Sequence, residues 1–147
     1  MKTKFTALLA IFAITISASA AVPPGWTDDL AKAKEKAKTE KKLLLLDFTG
    51  SDWCGWCMKL DKEVFAKADF KTYAKENLIL VDVDFPNSKP QTKKVKDQNA
   101  ALKKEHKVGG FPTIVILDGE GKEVARWGGY SEHFFDELKE KVAAAKK

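Results

Sequence analysis

The chain has 147 residues and a formal net charge of +5. Its basic residues are interspersed with aspartates and glutamates and form no compact stripe, so the charge indicates no nucleic-acid partner. The chain contains only two cysteines, which excludes a scaffold built on several structural disulfides. The length is typical of one domain with a single sizeable core.

The N-terminal residues have the pattern of a secretory signal peptide. Lys2 and Lys4 precede an apolar run over residues 5–16, and small residues follow at Ala18 and Ala20. The apolar run is too short to span a bilayer, although an uncleaved membrane anchor remains the alternative. The pattern therefore predicts export.

Cleavage is expected between Ala20 and Ala21, so that residues 1–20 form the signal peptide and residues 21–147 form one domain. Removing the two lysines of the leader lowers the net charge to about +3. Export predicts a periplasmic or secreted protein in an oxidising compartment.

The rest of the chain alternates helical and strand patterns. Thr27 is expected to cap the first helix and Ser131 the last. Strands joined through a helix should be parallel, and the final hairpin should add an antiparallel edge. These patterns predict an α/β fold with a central mixed sheet and helices on both faces. The predicted helices cover residues 27–41, 54–68, 92–107 and a segment from 131 onward, and the predicted strands cover residues 43–48, 78–85, 113–117 and 123–127.

Both cysteines lie in the motif Trp53-Cys54-Gly55-Trp56-Cys57, where the first predicted strand passes into a helix. A helix N-terminus stabilises the thiolate of the first cysteine, and a cysteine one turn further in is suited to resolve a mixed disulfide. A disulfide between these cysteines would close a very small loop and remove little entropy from the unfolded chain. A catalytic pair is therefore a better interpretation than a structural disulfide. The alternatives are an inert disulfide or half of a metal site.

Few further metal ligands are available to the two cysteines. A zinc site needs about four ligands, and only His106 and His133 could add nitrogen donors. Both histidines are expected at the surface or at helix ends, so we expect no metal. Phe65 and Trp127 are expected in the core.

Four local features occur in order and at suitable spacing. They are Asp47-Phe48 at the end of a strand, the cysteine motif, Gly110-Phe111-Pro112-Thr113 and Gly128-Gly129. Together these features resemble the thioredoxin superfamily over residues 26–145. The resemblance extends to small exported thioredoxin-like thiol–disulfide oxidoreductases and implies a thioredoxin-like three-layer fold. Trp56 stands where thioredoxins usually have proline.

The resemblance implies roles for individual residues. Cys54 would attack a substrate disulfide, Cys57 would resolve the mixed disulfide, and Asp47 would act as a buried acid–base for Cys57. The alternative for Asp47 is a solvated strand-end carboxylate or a helix cap. Pro112 is expected to follow a cis peptide bond and to leave a backbone edge at Phe111 for an extended substrate.

Two tryptophans flank Cys54. Trp56 is expected to be exposed for partner contact, and Trp53 is expected to be half-buried support, so both join Phe111 and Pro112 as candidate substrate-binding residues.

The expected function is reduction of disulfides in exported proteins. The alternatives are a disulfide oxidase or isomerase, and a non-catalytic binding or chaperone module. The cysteine pair itself would be the redox centre, with no other cofactor. Expected partners are protein thiols and disulfides, with a membrane thiol carrier as a candidate electron donor, and the protein is expected to be a monomer.

Overall fold

The structure is a computed structural model, which describes residues 21–146. The predicted signal peptide, residues 1–20, lies outside the described residues. Within residues 21–146, no helix is both long and apolar enough to cross a membrane. The strands are β1 (Trp26–Thr27), β2 (Leu43–Thr49), β3 (Leu78–Asp84), β4 (Thr113–Leu117) and β5 (Glu123–Gly128), and the α-helices are α1 (Leu30–Glu40), α2 (Gly55–Leu60), α3 (Ala68–Asn77), α4 (Lys93–Glu105) and α5 (Phe134–Ala145).

The five strands form one mixed sheet in the order β1-β3-β2-β4-β5. β3 is parallel to both β1 and β2, whereas β4 is antiparallel to β2 and β5. β2 therefore lies at the centre of the sheet, and all seven of its residues are buried. This burial explains its continuous apolar run, because both faces of a central strand are covered.

Alternation along β2 divides the core into two layers. Leu43 and Leu45 pack against α2, α3 and α5 on one face, whereas Leu44, Leu46 and Phe48 pack against α1 and α4 on the other. The predicted thioredoxin-like three-layer fold is confirmed. Asp47 follows the alternation of Leu43 and Leu45, so its side chain lies on the α2 face.

The first helix begins later than predicted. Its N-cap is Asp29, whose side chain accepts a hydrogen bond from the backbone N–H of Lys32 at 3.2 Å. Thr27 lies in β1, a short strand that the sequence analysis missed. The prediction that Thr27 caps the helix was wrong because a carboxylate closer to the first turn takes that place.

The predicted helix over residues 54–68 is interrupted. α2 passes into a π-helical turn at Asp61–Phe65, where the N–H of Ala66 reaches the carbonyl of Asp61 at 2.8 Å. The separate helix α3 follows and was not predicted. The apolar spacing within the predicted segment did not reveal a change of hydrogen-bond pattern.

Two further expectations, for Ser131 and Trp127, need correction. Ser131 does not cap α5; its hydroxyl accepts from the N–H of His133, which is the N-cap residue. His106 is a helix-end residue, as predicted, and it is buried, with Nδ1 3.2 Å from Glu123. Phe65 is buried as predicted, whereas Trp127 is only partly buried at the edge of the core.

Candidate active site

Cys54 and Cys57 are joined by a disulfide at the start of α2. Cys54 is the N-cap residue, and its Sγ accepts a hydrogen bond from the backbone N–H of Cys57 at 3.2 Å. The first N–H groups of a helix have no partner within the helix, so a sulfur placed there meets donors that favour its anionic form. Both cysteines are buried in the disulfide form.

The loop before the cysteines is fastened to the segment after β3. The carboxylate of Asp52 accepts from the backbone N–H groups of Asn87, Ser88 and Lys89 at 2.9, 2.7 and 3.3 Å. These hydrogen bonds, led by that of Asn87, hold the pKa of Asp52 below its usual range. The sequence analysis missed this role of Asp52, because the partners lie 35 to 37 residues away.

A second attachment lies beside the first. The backbone N–H and the hydroxyl of Ser51 donate to the two oxygens of Asp84 at 2.9 and 2.5 Å. Lys89 adds a hydrogen bond from Nζ to Oγ of Ser51 at 2.9 Å. Two neighbouring residues of the loop, Ser51 and Asp52, are thus both fastened to residues 84–89.

Trp53 is half exposed and is held at its indole nitrogen. Nε1 donates to the carbonyl of Phe85 at 2.7 Å, and the ring meets Phe111 edge-on at 5.8 Å. The indole covers Gly50 so closely that a Cβ there would lie 2.5 Å from Cε2 of Trp53. Gly50 is therefore needed for this position of the tryptophan.

Phe111 and Pro112 lie next to this tryptophan. The peptide bond between them is cis. The Phe111 ring stacks on Phe85 with centroids 5.1 Å apart, and the ammonium of Lys103 lies over both rings at 5.2 and 5.5 Å. The structure therefore joins Trp53, Phe85 and Phe111 in one aromatic cluster, of which the sequence analysis named only the first and last.

Trp56 lies in a different set of contacts. It is 60% exposed, and its ring stacks on Tyr130 with centroids 5.9 Å apart. Nζ of Lys59 lies over both rings, 5.5 and 4.5 Å from their centroids. The Tyr130 hydroxyl bonds to Glu63, which raises the pKa of Tyr130 to about 12. The sequence analysis missed Tyr130, which supports the exposed indole from the loop before α5.

Asp47 is buried behind the disulfide. Among the described residues, no group hydrogen-bonds its Oδ1. Burial, followed by the negative charges of Asp82, Asp61 and Asp84, raises the pKa of Asp47 well above its usual range. The carboxyl is thus kept protonated in conditions where an exposed aspartate would be charged.

A cavity of about 260 Å³ connects this carboxyl with Cys57, because Asp47 and Cys57 both line it. Other aspartates line the same cavity, yet residues 21–146 contain no group of three or more histidine, cysteine or acidic side chains arranged to hold a metal ion. The cavity therefore has a buried carboxyl and a buried cysteine in the same lining.

A family model described as a thioredoxin-like domain matches residues 30–145. The chain belongs to this thioredoxin-like family. Disulfide bond reductase DsbH of Chlamydia pneumoniae is 42% identical over 101 residues, which make up 69% of this chain and 61% of that protein. Thioredoxin-related protein DsbJ of the same organism is 34% identical over 105 residues, or 71% of this chain and 30% of that protein. The match thus spans less than two thirds of either relative.

A solved structure of DsbH oxidoreductase superposes on this thioredoxin-like chain with a TM-score of 0.73. The two share 34% sequence identity, and the superposition covers 94% of this chain and 95% of that one. The Cys54–Cys57 disulfide therefore lies at the start of α2 in a thioredoxin-like fold.

Proposed function

We propose that the protein is an exported thiol–disulfide oxidoreductase that reduces disulfides in partner proteins. The observation that carries the proposal is the Cys54–Cys57 disulfide at the start of α2, with the Cys57 N–H directed at the Cys54 sulfur. Membership of the thioredoxin-like family supports the same chemistry.

In the proposed reaction, the Cys54 thiolate attacks one sulfur of a substrate disulfide and releases the other as a thiolate, which takes a proton from water. The ionised form of Asp47 then accepts the proton of the Cys57 thiol, and the Cys57 thiolate attacks Cys54. The bond between Cys54 and the substrate breaks, so the substrate leaves with two reduced sulfurs and the enzyme keeps the disulfide.

The reducing direction has two supports. The similar protein DsbH is named a disulfide bond reductase. No histidine stands between Cys54 and Cys57, so the pair lacks the adjacent cation that would stabilise the reduced thiolate and make the couple strongly oxidising. We therefore expect a reduction potential near that of thioredoxin, about −270 mV, rather than near the −120 mV of a strong oxidase.

The proposed function also includes export of the protein and a source of electrons outside the cytoplasm. The leader pattern at residues 1–20 supports export. A reductase in an oxidising compartment must be re-reduced after each cycle, and we propose a membrane thiol carrier as the donor. Trp53, Trp56, Phe111 and Pro112 are the proposed substrate contacts, and the protein is proposed to act as a monomer.

Insulin reduction with dithiothreitol tests the activity. The wild-type protein should accelerate reduction, and Cys54→Ser should abolish that acceleration. Equal rates for the two proteins would contradict the proposed enzyme. Equilibration of the cysteine pair with glutathione tests the direction, since a potential near about −120 mV would indicate an oxidase instead.

Trapping tests the partners. In Cys57→Ser, nothing remains to resolve the mixed disulfide on Cys54, so non-reducing gels of the exported fraction should show adducts. The double variant Cys54→Ser, Cys57→Ser is the control. Adducts that persist in this control would show that they do not arise from the proposed chemistry.

A further inference from the structure

Asp47 has a second carboxyl as its neighbour in the sheet. β2 and β3 run parallel, and their register places Asp82 directly beside Asp47. Side chains at directly paired positions of neighbouring strands lie on the same face, about 5 Å apart at Cβ. The alternation of β3 agrees, since Leu78 and Leu80 pack on the face that carries α2.

Asp82 differs from Asp47 in its access to water. Asp47 is 8% exposed, whereas Asp82 is partly exposed, and both line the cavity that also touches Cys57. Solvent exposure therefore increases from Cys57 and Asp47, which are both buried, to Asp82, and all three residues line one cavity. A proton that left Cys57 by way of Asp47 would reach the more exposed carboxyl at Asp82.

Other charged groups also surround the pair of Asp47 and Asp82. Asp84 is engaged through both carboxylate oxygens by Ser51. Asp61 faces the pair from the π-helical turn and Asp28 from the segment before α1, while Lys89 approaches from the loop after β3. None of these groups is the strand neighbour of Asp47.

Electrostatics support a coupled pair. Burial and the repulsion of Asp84 raise the pKa of Asp82 to about 7, and the charge of Asp82 contributes to the raised pKa of Asp47. Two neighbouring carboxyls in a site of low polarity resist ionising together, so their titrations are coupled.

We propose that Asp82 is a proton-relay residue, which takes from Asp47 the proton that Cys57 releases and passes it through the cavity to water. The inference rests on the proposed function, because it concerns the step in which Cys57 becomes a thiolate. The proton balance is complete: the thiol loses one proton, Asp47 holds it in passing, and Asp82 delivers it to solvent. Asp82 acts through Asp47 and does not touch the reacting sulfurs.

The test compares Asp82→Asn with the wild type and with two further variants. Asp82→Glu keeps a carboxyl at the position and should restore wild-type behaviour. Asp28→Asn removes the same charge from the lining of the same cavity, but away from the strand pair. Each reduced protein is mixed with excess insulin, and tryptophan fluorescence follows its oxidation as a function of pH.

Asp82→Asn removes the repulsion that disfavours the charged form of Asp47. The pKa of Asp47 should fall, and the acid limb of the rate profile should move to lower pH by about one unit. Because Asp47 becomes a weaker base, the rate at the plateau should also fall. Asp28→Asn should shift the limb by much less than Asp82→Asn does.

Carboxyl ¹³C NMR of the oxidised protein gives a second readout, in which no thiol titrates. Asp47 and Asp82 should show two coupled transitions in the wild type, and Asp47 a single transition at lower pH in Asp82→Asn. An active wild type whose rate profile and Asp47 titration are unchanged by Asp82→Asn would overturn the relay alone. A wild type that does not reduce insulin would overturn the proposed function and the relay with it.

Discussion

The backbone N–H of Cys57 donates to Sγ of Cys54 across 3.2 Å. In the reduced protein the same N–H would stabilise a negative charge on that sulfur, because it is one of the helix donors without a partner inside the helix. The Cys57 sulfur lies one turn further in and faces the carboxyl-lined cavity. The Cys54 sulfur therefore lies beside a hydrogen-bond donor, whereas the Cys57 sulfur lies near carboxyl groups.

This asymmetry predicts selective alkylation of the reduced protein. Cys54 should titrate below the value of about 8.5 of a free cysteine, whereas Cys57 should stay unreactive while the fold is intact. Iodoacetamide labelling against pH, resolved by peptide mass spectrometry, measures both. Equal labelling of the two thiols, or a Cys54 midpoint above about 8.5, would contradict the assigned roles.

The sequence predicted the elements around the cysteines because their signals are local. The buried run of β2 and the motif at the start of α2 occupy adjacent positions, and the β4–β5 hairpin is marked by its own turn. The hydrogen bonds that fasten the loop before Cys54 could not be predicted in this way. Asp52 and Ser51 find their partners 33 to 37 residues away, and no local pattern indicates such pairings.

The sequence around Asp82 contains a pattern that could have indicated its place in the cavity. Asp82 and Asp84 are two residues apart in a strand, so they share one face of the sheet. Charged residues at such spacing in an otherwise apolar strand indicate a polar cavity on that face. Pairing them with Asp47 also required the register of β2 against β3, which only the structure supplies.

Replacing Asp47 by Asn should make the folded protein more stable at neutral and higher pH. A carboxyl with a raised pKa binds more protons in the folded chain than in the unfolded chain. The stability that it contributes is complete below its unfolded pKa of about 4 and is lost as the pH rises through its folded pKa. Asn does not titrate, so the gain should be small at about pH 4 and reach about 1–3 kcal/mol at about pH 8.

Urea denaturation at several pH values measures this gain, with the exposed Asp69→Asn of α3 as the control for net charge. Turnover of Asp47→Asn should fall most near neutral pH and recover as solvent base substitutes at higher pH. A constant difference in the free energy of unfolding across pH would show that Asp47 ionises normally in the folded protein.

Gly50→Ala should displace Trp53. The added Cβ would lie 2.5 Å from the indole, a distance that requires the ring to move and to lose its hydrogen bond to the Phe85 carbonyl. We expect a loss of about 1–3 kcal/mol in stability and altered tryptophan fluorescence. Gly109→Ala is the matched control, because a Cβ there meets no atom within 4 Å. Equal effects of the two substitutions would contradict the close packing of Gly50 against Trp53.

Trp56→Ala should weaken protein substrates more than small ones. The indole is 60% exposed and is supported from behind by Tyr130, so it offers a rigid apolar surface beside the disulfide. Removing an aromatic contact of this kind should raise the KM for insulin about tenfold, which corresponds to about 1.4 kcal/mol. Reduction of hydroxyethyl disulfide, which is too small to reach the ring, should change less than about twofold.

Tyr130→Phe is the control for this prediction. It keeps the stack on Trp56 and removes only the hydroxyl that bonds to Glu63, so its KM for insulin should stay near that of the wild type. If Trp56→Ala reduced both substrates equally poorly, the tryptophan would act on the cysteine pair itself and not on partner contact.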